Sequence, residues 1–183
     1  MSPPVVLILA SGRGDRYIAS GGTTHKLHAR LGSKTVLQHT LDAVRSSGLP
    51  SHIEDAGHPG MGDSIAAAVR AAQKSSPQAS GWLVLPGDLP LIQSSTLLAV
   101  AHALSGADVV VPYYRGLRGH PVGFSACCGV ELRALKGDLG ASTVVRTHQH
   151  LELHIDDVGS VTDIDTVNDL RAAECLLWKF RGN

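Results

Sequence analysis

The sequence predicts a three-layer α/β protein, in which helices cover both faces of a mainly parallel sheet. Two continuous apolar runs, at residues 5–10 and 82–85, are typical of strands that are buried on both faces. Segments with apolar residues at helical spacing follow each run. Strands that alternate with helices favour parallel pairing. Since no repeat or linker divides the chain, we expect one domain over residues 1–183.

The first half of the chain contains two predicted helices. Residues 37–44 carry leucine and valine at helical spacing, and the Gly48 that follows is a typical helix-ending signal. Residues 65–72 repeat the apolar spacing. We expect this second helix to begin near Asp63 or Ser64, because short polar side chains favour the first position of a helix.

The second half is predicted to alternate in the same way. Further strands are expected at residues 107–111, 121–126 and 151–155. Helices are expected at residues 97–104, 130–135 and 142–149, and from about 166 to 180. The last helix has a recognisable start, because Thr166 and Asp169 have the spacing of a capping box.

Composition excludes some classes of partner. The chain has 183 residues, 43% of them hydrophobic, and 16 basic residues balance 16 acidic ones. It therefore lacks the positive field that would hold a nucleic acid backbone. The apolar run at residues 5–10 is too short to cross a bilayer, and no Lys or Arg precedes it. We expect a cytoplasmic protein with no membrane partner.

The cysteines and histidines show no metal motif. None of the three cysteines has the C-x-x-C spacing of zinc or dithiol sites; they are Cys127, Cys128 and Cys175. We expect them to be reduced and to serve mostly for packing, rather than in a redox or nucleophilic role. A group of histidines without an accompanying cysteine or aspartate pattern is expected at the surface or at a strand edge; it consists of His148, His150 and His154.

The loop after the first strand is the first candidate site. Ligands of open α/β sheets bind beyond the carboxyl ends of the strands, and here residues 10–16 read Ala-Ser-Gly-Arg-Gly-Asp-Arg. Glycines let backbone N–H groups approach phosphate, and arginines bind phosphate oxygens. Lys26 adds a positive charge downstream. The spacing is not that of a Walker loop, so a tight turn with solvated arginines is the alternative.

A candidate metal site follows the strand at residues 82–85. Asp88 stands in the turn Pro-Gly-Asp-Leu-Pro and is expected at the same edge as the first loop. Mg²⁺ typically takes one or two protein carboxylates plus substrate phosphates. Asp163 and Asp165 are the candidate partners, because alternate residues of an extended segment point to one side. Capping of the last helix is the alternative role for either.

Six ordered motifs carry a resemblance to a known family. They are LASGRGDR at 9–16 with Lys26 downstream, GMGDSI at 60–65, LPGDLP at 85–90, RGHPVGF at 118–124, GDLGA at 137–141 and DIDT at 163–166. They resemble the MobA-like nucleotidyltransferases, especially the molybdenum cofactor cytidylyltransferase branch. The resemblance implies a Rossmann-like nucleotidyltransferase fold. It also implies Mg²⁺-dependent transfer of CMP from CTP to molybdopterin, or a closely related reaction, with release of pyrophosphate.

The resemblance also implies roles for single residues. Nucleotide binding falls to Ala10, Ser11, Gly12, Arg13, Gly14, Lys26, Gly62, Ser64, Pro86 and Gly87. The catalytic residues are Arg16, Lys26 and Asp88, and the metal ligands are Asp88, Asp163 and Asp165. The acceptor side is formed by His120, Pro121, Gly137 and Asp138. A turn histidine bonded to the backbone is the alternative for His120.

One segment departs from the family. Residues 49–59 are shorter than the corresponding part of its members, so the sheet is expected to lack one strand or to carry a very short one. The implied partners are a nucleoside triphosphate, with CTP favoured, and a phosphorylated small-molecule acceptor. A handover partner among molybdoenzyme maturation proteins is a further expectation.

Two other functions remain open on the sequence. The chain could be a sugar-phosphate or polyol-phosphate nucleotidyltransferase that uses CTP, GTP or UTP. It could also be a nucleotide-binding regulatory protein, in which the short segment at 49–60 has abolished turnover. A hydride-transferring dinucleotide enzyme is disfavoured, because the third glycine of that motif and the acid about 20 residues later are missing.

Overall fold

A seven-stranded sheet forms the centre of the molecule. The computed structural model describes residues 2–181. The strands are β1 (Val5–Leu9), β2 (Arg30–Leu31), β3 (Lys34–Thr35), β4 (Ser51–Glu54), β5 (Gly81–Pro86), β6 (Val109–Tyr114), β7 (Leu117–Arg118), β8 (Val122–Ser125) and β9 (His150–His154). The α-helices are α1 (Asp15–Ala19), α2 (Val36–Ser47), α3 (Met61–Ser75), α4 (Ser94–Ala103), α5 (Gly129–Ala134), α6 (Ser142–Thr147) and α7 (Val167–Arg181). Short 3-10 helices lie at Lys26–His28, Ala126–Cys128, Gly137–Leu139 and Val158–Val161.

The strand order is β4-β1-β5-β8-β6-β7, and β9 also pairs with β6. β1 is parallel to β4 and β5, and β6 is parallel to β9. β8 lies between β5 and β6 and is antiparallel to both, while β7 is antiparallel to β6. Within this sheet, all strands except β7 and β8 therefore point in one direction, while β2 and β3 form a separate antiparallel pair. This arrangement confirms the predicted α/β class with a mainly parallel sheet.

Strand register places three loops at one edge of the sheet. Leu9, the last residue of β1, pairs with Glu54 at the end of β4 and with Pro86 at the end of β5. The segments that follow these three strands therefore begin at the same level. Because the strands are parallel, this edge is the carboxyl edge, where α/β proteins bind their ligands.

The short segment between α2 and α3 does contain a strand. β4 has four residues and lies at the end of the strand order, next to β1. Of the two expectations for this part of the sheet, the very short strand is therefore correct. Its position beside β1 keeps the loop after β4 next to the loop after β1.

Two hydrophobic clusters pack on the two faces of the sheet. One joins alternate residues of the strands to α3, α5 and α6, and it includes Leu7, Val84, Phe124, Ile65, Leu132 and Val144. The other joins the intervening residues to α2 and α4, and it includes Ile8, Leu85, Val110, Val44 and Leu97. Since both faces are covered, the central strands read as continuous apolar runs.

The predicted elements are found with shifted ends. α3 begins at Met61, slightly before the expected start near Asp63 or Ser64. α2 is followed directly by Gly48, whose φ of 69° lies in the left-handed region that glycine adopts freely. The capping box at the start of α7 is present, because the Asp169 N–H donates to Thr166 Oγ1 and the Thr166 N–H donates to Asp169 Oδ2. The elements α1, β2, β3 and β7 were not predicted.

The cysteines only partly follow the expectation of packing. Cys128 is buried, whereas Cys127 and Cys175 are exposed, so the expectation is wrong for these two. His150 and His154 lie on β9 as expected for strand histidines. His148 is different, because its ring lies beside both Cys127 and Cys128. In the part of the chain that the structure describes, no helix combines the length and the apolar character needed to cross a membrane.

Candidate active site

A cavity of about 530 Å³ opens at the carboxyl edge of β1, β4 and β5. Eleven of the predicted site residues line it: Ser11, Gly12, Arg13, Gly14, Arg16, Lys26, Ser64, Pro86, Asp88, Asp138 and Asp165. The wall does not include Ala10, Gly62, Gly87, His120, Pro121, Gly137 or Asp163. Residues from five of the six sequence motifs thus meet at one cavity, and Arg16 and Asp88 lie on the same side of the molecule.

The first loop is shaped by a glycine and anchored by a histidine. Gly14 has a φ of 71°, a conformation that L side chains rarely adopt, and α1 follows it directly. His25 Nε2 lies 2.7 Å from the carbonyl oxygen of Gly12, and the Leu27 N–H donates to His25 Nδ1 at 3.3 Å. Both contacts are satisfied by a neutral ring with its proton on Nε2. No role was predicted for His25, although it stands next to Lys26.

The start of α3 faces the cavity from the opposite side. The Ser64 hydroxyl lies 2.7 Å from the Ser11 hydroxyl, which links this helix to the first loop. Gly60 precedes the helix without any side-chain cap, so the first N–H groups of α3 have no side-chain acceptor there. The amino end of a 15-residue helix carries a partial positive charge and favours an anion.

The glycines of the Gly-Met-Gly segment allow close packing against the Gly137 turn. A Cβ on Gly60 would lie 2.3 Å from the Gly137 carbonyl carbon, and one on Gly62 would lie 2.9 Å from the Lys136 oxygen. The Asp63 carboxylate accepts a hydrogen bond from the Gly137 N–H at 2.8 Å. Gly62 and Gly137 therefore pack against each other behind the cavity wall, and the neighbouring Asp138 is part of the wall.

Four charged side chains form a network in the cavity. Lys26 Nζ lies 2.6 Å from Asp88 Oδ2 and 2.9 Å from Asp165 Oδ1. Arg16 binds the other oxygen of Asp165 at 2.6 Å. Burial alone would lower the pKa of Lys26, but the Asp88 and Asp165 carboxylates raise it above its ordinary value. Two of the predicted phosphate-binding cations therefore hold two of the three predicted metal ligands.

The structure separates the roles of Asp163 and Asp165. Neither caps α7, because Thr166 and Asp169 form that cap. Partial burial raises the pKa of Asp163, and the charges of Asp88 and Asp165 raise it further. Within residues 2–181, the oxygens of these three aspartates do not all lie within 4.8 Å of one another, and Asp165 is the one that shares Lys26 with Asp88.

His120, which was predicted to lie on the acceptor side, is not part of the wall of this cavity. The backbone N–H of His120 donates to the Ser160 carbonyl at 2.9 Å, and the peptide bond between His120 and Pro121 is cis. Burial lowers the pKa of the His120 ring, and the nearby Asp88 carboxylate opposes this shift only in part. Its Nδ1 is buried without a hydrogen-bond partner among the described residues. The backbone hydrogen bond to Ser160 is consistent with the alternative prediction, a turn histidine bonded to the backbone.

Residues after β4 complete the cavity wall, although no site role was predicted for them from the sequence. His58, Pro59, Gly60 and Met61 line the cavity. His58 Nε2 lies 3.0 Å from the buried carboxylate of Glu54. Burial would raise the pKa of Glu54, but hydrogen bonds from His58 and His52 lower it overall. The signal available in the sequence was the position of His58 just before the Gly-Met-Gly motif.

Comparison with known proteins identifies the family. The model for the MobA-like NTP transferase domain matches residues 47–153. The purine catabolism protein PucB of Bacillus subtilis (strain 168) is 31% identical over 118 residues, which cover 63% of this chain and 56% of PucB. The chain thus spans just over half the length of this curated relative.

Solved structures share the fold over almost the whole chain. Rv0371c from Mycobacterium tuberculosis H37Rv has a TM-score of 0.78 at 25% identity, over 93% of this chain and 96% of that chain. Its complex with manganese has a TM-score of 0.74 at 24% identity, over 93% and 97%. Molybdopterin-guanine dinucleotide biosynthesis protein A from Archaeoglobus fulgidus has a TM-score of 0.68 at 18% identity, over 96% and 99%.

The fold and the family match are those of an NTP transferase domain. Since the family model covers more than half of the chain, the chain belongs to the MobA-like NTP transferase domain family. The resemblance seen in the sequence motifs is thereby confirmed at the level of the family.

Proposed function

We propose that this enzyme transfers a nucleoside monophosphate, with CMP from CTP favoured, to a phosphorylated small acceptor such as molybdopterin, and releases pyrophosphate with the help of Mg²⁺. The proposal rests on the network of Arg16, Lys26, Asp88 and Asp165 in one cavity. Phosphoryl transfer depends mainly on positioning and on charge stabilisation. Two cations beside two carboxylates, between a glycine loop and a helix start, supply the groups that this chemistry needs.

The residues present fit a divalent cation. Asp88 lies in the cavity wall, and its Oδ1 has no hydrogen-bond partner among residues 2–181. Carboxylate oxygens are the ligands that Mg²⁺ prefers. Such a cation, held by Asp88, would offset the negative charge that develops during phosphoryl transfer. The manganese complex of Rv0371c supports a divalent metal; the choices of Mg²⁺, CTP and molybdopterin follow from the family resemblance.

The chain's own residues would act on the triphosphate in a defined way. Backbone N–H groups of the first loop and of the α3 start would hold phosphate oxygens. Lys26 and Arg16 would exchange their carboxylate partners for oxygens of the leaving pyrophosphate. The acceptor phosphate would attack the α-phosphorus in line, so no covalent enzyme intermediate is needed. Asp138, on the wall, is the predicted acceptor-side residue that the cavity exposes.

A pyrophosphate-release assay tests the proposal. Each of the four ribonucleoside triphosphates would be combined with molybdopterin, sugar phosphates or polyol phosphates, with Mg²⁺ or with a chelator. We expect release with CTP and molybdopterin, only in the presence of the metal. Asp88→Asn should lower kcat by about 100-fold or more, whereas Asp42→Asn, on the outer face of α2, should not change it.

The outcomes separate the competing functions. Release with a sugar or polyol phosphate alone would place the enzyme in that acceptor class. Tight nucleotide binding without release for any acceptor would indicate a regulatory protein. Full activity in Asp88→Asn would overturn the assignment of the metal site.

A further inference from the structure

We propose that Cys127, Cys128 and His148 form a binding site for Zn²⁺ or a cation of the same borderline-soft class, separate from the active site. The cysteines follow β8, whose Ser125 pairs with Gly81 at the amino end of β5. The active-site cavity lies at the opposite, carboxyl end of β5. The two sites are therefore at opposite edges of the sheet.

The spacing of the ligand atoms supports this site. The two sulfur atoms lie 3.9 Å apart. A tetrahedral zinc ion with Zn–S bonds of about 2.3 Å requires a sulfur separation of about 3.8 Å. A ring nitrogen of His148 lies within 4.8 Å of both sulfurs, and no other group of three His, Cys, Asp or Glu residues in the described chain meets this limit. The sulfurs need almost no movement to share one ion.

The His148 ring has a carboxylate near each of its nitrogens. A metal-binding histidine is usually oriented by a hydrogen bond at the nitrogen that does not bind the metal. His148 Nε2 lies 3.1 Å from Glu131, and Nδ1 lies 3.9 Å from Asp108. If Nδ1 binds the metal, the Glu131 carboxylate beside Nε2 accepts the ring proton there and orients the ring. The fourth position of a tetrahedral site is left for water or for the Asp108 carboxylate.

Access and charge are also suitable. Cys127 is exposed and lines an open cleft with Asp108 and Ser125, while Cys128 is buried. The His148 side chain is 19% exposed. On binding, each thiol releases its proton to solvent, and two thiolates then neutralise a divalent cation. Since His148 leads into β9, the ion would fasten this edge strand to the end of β8.

Titration with Co²⁺ tests the proposal. The full-length protein would be reduced, freed of metal with a chelator and titrated without oxygen. We expect one equivalent to produce a thiolate-to-cobalt charge-transfer band and the strong visible bands of tetrahedral cobalt, both abolished by Zn²⁺. Cys127→Ser should weaken binding by at least about tenfold, and Glu131→Gln by roughly 10–100-fold. Circular dichroism would verify that the exposed Cys127→Ser variant is folded.

Two control variants separate this site from the rest of the protein. Cys175→Ser removes the third thiol, and Asp88→Asn alters the active site; both should retain the full cobalt spectrum. The proposal is overturned if no charge-transfer band forms, if Cys127→Ser binds cobalt as tightly as the wild type, or if the band disappears in Cys175→Ser. Because the readout is spectroscopic, it does not depend on nucleotidyl transfer.

Discussion

Lys26 Nζ contacts Asp88 Oδ2 at 2.6 Å, and the two side chains are only 13% and 14% exposed. The pair joins the segment after α1 to the turn after β5. Asp165 adds a second carboxylate to the same ammonium group at 2.9 Å. Charges that are partly withdrawn from water interact more strongly than surface charges. This contact therefore organises the cavity before any substrate is bound.

Replacing Lys26 with methionine should destabilise the protein by about 1–3 kcal/mol at neutral pH. The variant leaves the Asp88 carboxylate without its cationic partner, and the effect is smaller than for a fully buried pair because solvent reaches both groups. Urea denaturation measures the change. Lys34→Met is the control, since its ion pair with Asp42 lies at the surface and should contribute nothing measurable.

The effect of Lys26→Met on the free energy of unfolding should depend on pH. Because the pKa of Lys26 is raised above 10.5 in the folded protein, its contribution to stability is fully present below that pH and is lost as pH rises through the folded value. The stability difference between wild type and Lys26→Met should therefore shrink in strongly alkaline solution. A difference that stays constant would contradict the raised pKa.

His25→Ala should weaken nucleotide binding more than it slows the chemical step. The variant removes the contact of the ring with the Gly12 carbonyl in the first loop, and also the contact from the Leu27 N–H that orients the ring. Loss of one or two such hydrogen bonds corresponds to an increase in KM of roughly tenfold. Steady-state pyrophosphate release measures KM and kcat. His102→Ala, on the exposed side of α4, should leave KM unchanged; an unchanged KM in His25→Ala would show that the loop needs no anchor.

Gly62→Ala should disturb the turn behind the cavity. The added Cβ would lie 2.9 Å from the Lys136 oxygen and 3.0 Å from the Gly137 oxygen, and both are backbone atoms that cannot rotate away. We expect a loss of about 1–3 kcal/mol in the free energy of unfolding and a higher KM for the acceptor. Gly57→Ala is the matched control, because its Cβ would meet no atom within 4 Å. Equal stability of the two variants would contradict this packing.

Cys128 should resist alkylation in the folded, metal-free protein. Burial raises the pKa of its thiol from 9.0 to about 12, so almost no reactive thiolate forms at about pH 8. Iodoacetamide should modify the exposed Cys127 and Cys175 first, and Cys128 only after unfolding in urea. The neutral thiol stabilises the fold below pH 9.0, and this contribution is lost as pH rises toward about 12. Fragment-ion mass spectrometry distinguishes the adjacent cysteines, and rapid labelling of native Cys128 would contradict its burial.

The central strands were predictable because strands covered on both faces leave continuous apolar runs, as in β1 and β5. The direction of β8 was not predictable, since an apolar pattern is the same in both directions. β2 and β3 have two residues each, which is too short to show any periodicity. The sequence therefore predicts the layers of this fold better than the pairing of its strands.

Only part of the arrangement of the active-site residues was predictable from the sequence. Ser11 and Asp88 follow strands that turned out to be adjacent, so a shared edge was a sound expectation. The ion pair of Lys26 with Asp165 spans 139 residues and depends on side-chain packing that no spacing encodes. The same reason explains why the approach of His148 to Cys127 went unnoticed, since the two are separated in sequence by two helices.

The network of Arg16, Lys26, Asp88 and Asp165 carries two positive and two negative charges, so it is electrically neutral before substrate arrives. A lone pyrophosphate or a lone divalent ion must break these internal pairs and leaves one set of charges without compensation. A metal–nucleotide complex offers both signs together and can exchange partners with all four groups. We therefore expect the resting cavity to bind a metal–nucleotide complex in preference to free pyrophosphate or a free divalent ion.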